Sequence, residues 1–177
     1  MFLSRVNDRD RLVLMDAAAV EQLQAIEAIR AVKHRYLRCV DLKLWTELES
    51  VLGEDAVAEY GTSALGEPVE RHGRAAVLEF LRESLDNEII TMHICGHHEI
   101  IVDGDSAQGT WSMRDTVLAP EHRVLIEGGA YYEDTYRRDA DGRWWISRTA
   151  YTRIYESMRT LDENFQLLAS KWAKPEQ

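Results

Sequence analysis

Tyr36, Asp41, His93, Asp115 and Arg153 each interrupt or end a segment that otherwise reads as protein core. Burying an ionisable group costs several kcal/mol unless it finds a partner. A phenol, an imidazole, two carboxylates and a guanidinium are also the groups from which proton-transfer sites are built. Five of them in 177 residues are therefore expected to partner one another around a shared pocket.

His93 lies among Met92, Ile94 and Cys95, in the most apolar strand-like run of the chain, where a neutral imidazole serves as a general base or sits as a core histidine bonded to a carbonyl. Asp115 shares a strand face with Trp111, Met113 and Val117. An acid there is a candidate proton donor unless a cation compensates its charge. Arg153 shares a face with Trp145, Tyr151 and Tyr155, either as a pocket cation or as a guanidinium stacked on rings. Tyr36 falls on the apolar stripe of a helix. On a continuous helix Asp41 points about 140° away from Tyr36, so it faces the same pocket only if the helix ends first. Trp111, Met113, Val117, Trp145 and Tyr151 are expected to line the pocket, which favours a small hydrophobic or polycyclic molecule over a sugar or nucleotide.

The cluster His93, His97, His98 and Glu99 invites a metal reading. On an extended strand His93 and His97 stand roughly 13 Å apart and His98 points to the other face, so they cannot share one ion at about 2 Å. No metal site is expected. Nucleophile elbow, Walker loop and dinucleotide fingerprint are all missing from the sequence.

The elements that must position these residues fall in two halves. Leu23, Ile26, Ile29, Val32, Tyr36 and Val40 recur at steps of three and four, which predicts a helix to about residue 40. Asp41 is then placed to cap a short second helix that Gly53 closes. Short strands are expected over Ala56 to Tyr60 and near Val69, separated by a loop from Gly61 to Pro68, and a third helix over Arg74 to Glu88. Beyond it the period changes to two in four segments, Glu88 to Asp103, Ala107 to Leu118, His122 to Arg138 and Arg143 to Ser157, joined by Asp103-Gly104-Asp105, Ala119-Pro120-Glu121 and Asp139-Ala140-Asp141-Gly142. Gly128-Gly129 predicts a bulge. Helices followed by long antiparallel strands make an α+β domain in which a strongly curved sheet wraps a long helix as a cone-shaped barrel. Residues 1–16 read as a loose arm, 17–158 as the domain and 159–177 as a helical tail, since Leu161, Phe165, Leu168 and Trp172 keep helical spacing.

A net charge of −10, from 21 basic and 31 acidic residues, disfavours nucleic acid and anionic membrane partners. With 45% hydrophobic residues the chain suits one domain with a sizeable core. Cys39 and Cys95 lie in different patterns with no pairing frame, and Leu12 to Met15 is too short for a span or an export signal, so a reducing cytoplasm is expected.

The runs His34-Arg35-Tyr36-Leu37-Arg38-Cys39-Val40-Asp41, Thr91-Met92-His93, Gly109-Thr110-Trp111 through Asp115, Gly128-Gly129-Ala130-Tyr131-Tyr132 and Tyr151-Thr152-Arg153-Ile154-Tyr155 resemble the bile-acid 7α-dehydratase branch of the SnoaL-like, nuclear-transport-factor-2-like superfamily. The resemblance covers about residues 20 to 158, and scytalone dehydratase and a dehydrochlorinase of chlorinated cyclohexanes are similar at greater distance. It implies a cofactor-free lyase, often a homotrimer, acting on a small hydrophobic substrate through Tyr36, Asp41, His93, Asp115 and Arg153. His93 would be the base, oriented by Asp41; Tyr36 and Arg153 would polarise a carbonyl or enolate oxygen; a protonated Asp115 would assist a departing hydroxyl. The implied reaction is loss of water from a hydroxylated carbonyl compound such as a 7-hydroxy-3-oxo steroid or a polyketide. Dehydrohalogenation, double-bond isomerisation and ligand binding without turnover are the alternatives.

Overall fold

Period-two patterning in the second half of the chain folds as four long strands, and the helical periods of the first half fold against them. The structure is a computed structural model that describes residues 8–61, 66–85 and 88–172, with side chains from residue 16. Helix α1 spans Asp8–Asp41, α2 Trp45–Glu49 and α3 Arg74–Leu85; strands are β1 Leu52–Tyr60, β2 Val69–His72, β3 Ile90–Asp103, β4 Ser106–Ala119, β5 Val124–Arg138 and β6 Trp144–Thr160. The six strands form one sheet in the order β2-β1-β6-β5-β4-β3, antiparallel except where β1 runs parallel to β6. Helix α1 packs on β3 and β6, α3 packs on β1 and β2, and the core lies between helices and sheet.

The buried stripe of α1 is Ala25, Ile29, Val32, Tyr36 and Val40, at steps of four and three. Leu23, expected on that stripe, is exposed. The helix already includes residues 8–16, which the sequence reading assigned to a loose arm; residues 1–7 lie outside the described residues. That first stretch carries Arg9, Arg11, Leu12, Leu14 and Met15, good helix formers, with no Gly or Pro among them.

At its other end α1 stops at Asp41 because the chain turns left-handed at Lys43 (φ 55°) and Leu44 N–H reaches back to the Cys39 carbonyl at 2.8 Å. Asp41 does not cap α2: Leu44 holds that position with no side-chain bond, and the Asp41 carboxylate is engaged elsewhere. Gly53 does not close α2 either. It lies inside β1, where a Cβ would collide with the ring of Trp145.

Four register shifts interrupt the ladders, one between β1 and β6 after Leu52 and three that decide how the long strands face. In β3, His97 and His98 together oppose Trp111, with His97 at φ 45°. In β6, Ser147 is the extra residue between the pairs Thr135↔Arg148 and Tyr136↔Ile146, and Ile154 is the extra residue between Gly129↔Tyr155 and Ala130↔Arg153. The bulge foreseen at Gly128-Gly129 therefore lies in the partner strand, opposite Gly129 and Ala130.

Residues 161–172 form turns and irregular chain, not the expected helix. The Leu161 N–H donates to the Arg123 carbonyl at 2.8 Å, the Arg123 guanidinium donates to the Leu161 and Asp162 carbonyls at 2.6 Å each, and Asn164 N–H bonds the Asp162 carboxylate at 2.9 Å. These bonds occupy the groups that a first helical turn needs, and Leu168 remains exposed with no core to bury it.

Candidate active site

A cavity of about 480 Å³ opens between α1, α3 and the concave face of β3 to β6. Its walls are largely apolar, with Leu81, Leu85, Ile89, Val117, Val124 and Ile126 among them. Polar side chains enter it from several elements. Tyr36 reaches it from α1, His93 from β3, Asp115 from β4 and Arg153 from β6.

Asp41 stands directly behind His93. Its Oδ1 lies 2.6 Å from His93 Nδ1, its Oδ2 accepts the backbone N–H of His93 at 2.9 Å, and Thr91 Oγ1 donates to Oδ1 at 2.8 Å. A carboxylate only accepts, so Nδ1 carries the ring proton and Nε2 carries the lone pair, with no hydrogen-bond partner among the described residues. The ring is fixed by the last residue of α1, and the early stop of that helix turns the Asp41 carboxylate toward β3.

His93 and Asp115 are direct cross-strand partners on β3 and β4. Asp115, only 2% exposed, takes both Nη groups of Arg153, at 2.5 Å and 2.8 Å. This two-pronged pairing uses both oxygens as acceptors of a cation's protons, so Asp115 serves as an anion and not as the proton donor that its lone burial suggested. Burial opposes the Arg153 charge, but the hydrogen bonds and attraction from Asp115 outweigh it, and the Arg153 pKa is raised. Arg153 reaches across β5 at Gly128, where a Cβ would strike the guanidinium and come within 3.0 Å of Asp115 Oδ1.

Beside this pair lies a floor of tyrosines. The hydroxyls of Tyr36 and Tyr60 are 3.0 Å apart; Tyr60 stacks on Phe80 with centroids 5.2 Å apart, and Tyr132 meets Tyr151 edge-on at 5.4 Å. Burial pushes the phenols of Tyr36, Tyr60, Tyr132 and Tyr151 above their ordinary value, for Tyr151 against the opposing pull of Arg153. All four thus remain hydrogen-bond donors.

Tyr36, His93, Asp115, Arg153, Val117 and Tyr151 meet at the cavity, with Asp41 behind His93. Trp111, Met113 and Trp145 do not line it. Trp111 is buried deeper, its Nε1 donating to Tyr136 Oη at 3.0 Å, and Met113 belongs to the packed core. Trp145 is turned to the opposite face of β6 from Tyr151 by the extra residue Ser147, and covers Gly53. The extra residue Ile154 likewise turns Tyr155 outward, where its ring lies over Gly129. Tyr60, Phe80, Thr91 and Tyr132 were missed as site residues. Tyr60 ends a predicted strand and Tyr132 lies in the Gly128 to Tyr132 run, but which way either faces depends on pairings that the sequence does not reveal.

A long helix cradled by a curved six-stranded sheet, with polar side chains lining the cavity between them, defines the cone of the nuclear-transport-factor-2-like class. Residues 21–150 match the model of the SnoaL-like domain, and the chain belongs to that family. It is 27% identical over 150 residues to an uncharacterized protein of Mycobacterium tuberculosis, covering 84% of this chain and 96% of that one. Among solved structures it is similar to hexachlorocyclohexane dehydrochlorinase LinA-type3 from Novosphingobium barchaimii (19% identity, TM-score 0.70, covering 86% of this chain and 99% of that one). A protein from Novosphingobium aromaticivorans with the provisional name scytalone dehydratase has 19% identity and TM-score 0.67, covering 82% and 97%. At these identities the structural likeness speaks for the fold.

Proposed function

We propose that this chain is a cofactor-independent lyase that removes water from a hydrophobic hydroxylated carbonyl compound, with a fused-ring ketone such as a hydroxylated 3-oxo steroid or a polyketide as the substrate class. The observation that carries the reading is the His93 ring, held by Asp41 through Nδ1 with Nε2 left basic at the wall of an apolar cavity. His93 takes the proton from the carbon next to the carbonyl. Asp41 stabilises the imidazolium that forms. The Tyr36 and Tyr60 hydroxyls receive the carbonyl oxygen as it becomes an enolate oxygen, in surroundings where hydrogen bonds to developing charge are strong. The imidazolium then gives its proton to the departing hydroxide, while the Asp115–Arg153 pair, next to His93, holds the leaving group in place.

A second reading follows from the pairing of Asp115. With that acid engaged by Arg153, a leaving group that needs no proton, such as chloride, suits the site as well as hydroxide does, and the dehydrochlorinase among the structural neighbours has that chemistry in its name.

The two are separated by first following exchange of the α-hydrogen of hydrophobic ketones in deuterated water, then offering matched β-hydroxy and β-chloro ketones. Exchange that His93→Ala abolishes supports the base assignment in either case. The absence of exchange and of elimination with every ketone, at any pH, would leave the cone a binding module. Self-association as a homotrimer is part of the proposal. Met92, Ile94, Tyr131 and Tyr155 are exposed on the outer side of the sheet, and light scattering tests it.

A further inference from the structure

Beneath the tyrosine floor lies a charged pair that the proton chemistry at His93 does not use. Lys33 precedes Tyr36 by three residues on α1, and its side chain is fully buried. Its Nζ lies 2.7 Å from Asp134 Oδ2, and Asp134 is equally buried. The same Asp134 oxygen accepts the Tyr136 hydroxyl at 2.7 Å, and Tyr136 in turn accepts Trp111 Nε1 at 3.0 Å. On its other side Lys33 Nζ lies 3.2 Å from the centroid of the Tyr132 ring and 5.2 Å from that of Tyr36. Asp134 Oδ1 has no donor among the described residues.

Two features set this pair apart from a stabilising contact. Desolvating two full charges costs several kcal/mol per ion, and apolar residues of similar volume often do as well or better, so stability alone does not call for it. Its direction is also fixed. Asp134 is held by Tyr136 on the far side, Lys33 comes next, then the rings of Tyr132 and Tyr36, then the cavity. The positive end of the pair therefore faces the tyrosines in surroundings that screen it little.

We propose that Lys33 is a positioning residue for the oxygen-binding end of the cavity: its ammonium, anchored by Asp134, holds the rings of Tyr132 and Tyr36 from below and strengthens their hydroxyls as donors to an oxygen that becomes negative. The inference rests on the reading above, in which Tyr36 and Tyr60 receive the substrate oxygen, and adds Tyr132, which lines the same cavity. The Lys33–Asp134 pair, like Arg153–Asp115, carries no net charge; what it adds is a positive end directed at the phenols.

The test compares two ligands of one shape, 4-nitrophenolate and neutral 4-nitrotoluene, by their dissociation constants at a pH where the phenol is ionised in solution. Because Lys33→Met alone strands a buried carboxylate, the charges are removed together in the double variants Lys33→Met/Asp134→Asn and Lys33→Leu/Asp134→Leu, with thermal melting as the check on folding. The wild type is expected to prefer the anion. A folded double variant is expected to lose about tenfold of that preference while its affinity for 4-nitrotoluene stays the same. Equal losses for both ligands, an unchanged preference, or failure of both double variants to fold overturns the role of Lys33 and makes the pair structural. A wild type that shows no preference for the anion overturns the oxygen-end reading itself, and the inference with it.

Discussion

Asp41 grips His93 twice, at ring Nδ1 with 2.6 Å and at the backbone N–H with 2.9 Å. One carboxylate thus fixes both the tautomer of the imidazole and the position of the strand that carries it. Asp41→Asn or His93→Ala is expected to lower turnover by roughly a hundredfold or more, the usual scale of a general acid-base group. Steady-state rates on an active ketone, together with far-ultraviolet circular dichroism, check this. Near-normal turnover in a folded variant would refute the dyad.

Arg153 and Asp115 are expected to behave as a unit. Arg153→Met leaves Asp115 buried without its cation and should destabilise the fold by about 3–5 kcal/mol. The double variant Arg153→Met/Asp115→Leu should recover most of that stability without recovering activity. Urea unfolding of the two variants and the wild type gives the comparison; a double variant no more stable than the single one would count against the pairing.

Gly128 should tolerate no side chain. A methyl group there meets the Arg153 guanidinium and the Asp115 carboxylate, so Gly128→Ala is expected to cost about 1–3 kcal/mol and to disturb activity more than stability alone accounts for. Melting temperature and turnover measured side by side test it, and a silent substitution would show that Arg153 does not cross the strand at this point.

The tyrosines predict an alkaline response with a definite sign. Tyr36, Tyr60, Tyr132, Tyr136 and Tyr151 are all pushed above their ordinary value of 10.0, chiefly by burial. Unfolded, these phenols release protons near that value; folded, they keep them. Stability is therefore full below about pH 10 and falls as the pH rises beyond it. Absorbance titration of phenolate should show these five ionising only together with unfolding. Smooth ionisation of more than the remaining two of the seven tyrosines in the folded state would contradict their burial.

Much of this arrangement was legible in the residues themselves. The change of period from helical steps to strict alternation located the four long strands to within a few residues, and the cost of isolated buried charges selected Asp41, His93, Asp115 and Arg153. The errors have local causes. Trp145 and Tyr155 share odd numbering with Tyr151 and Arg153, but Ser147 and Ile154 each add one residue to β6 and reverse the facing of everything beyond them. No alternation rule registers such an insertion, because it depends on how the neighbouring strand pairs. Trp111 and Met113 do face inward, yet along a single strand the inward face serves both the packed core and the cavity. Lys33 was passed over because a lysine on a helix is ordinarily solvated, and its partner Asp134 lies 101 residues away. The spacing of Leu161, Phe165, Leu168 and Trp172 is helical, but a short amphipathic segment with nothing to cover does not hold a helix, and Arg123 claims its first carbonyls.

The bond from the His93 backbone to Asp41 has one more effect. Strand β3 is the last of its sheet, and its outer rim is where a foreign strand would most readily attach. By claiming an amide on that rim, the Asp41 carboxylate that holds the His93 ring also removes one of the donors that a foreign strand would use.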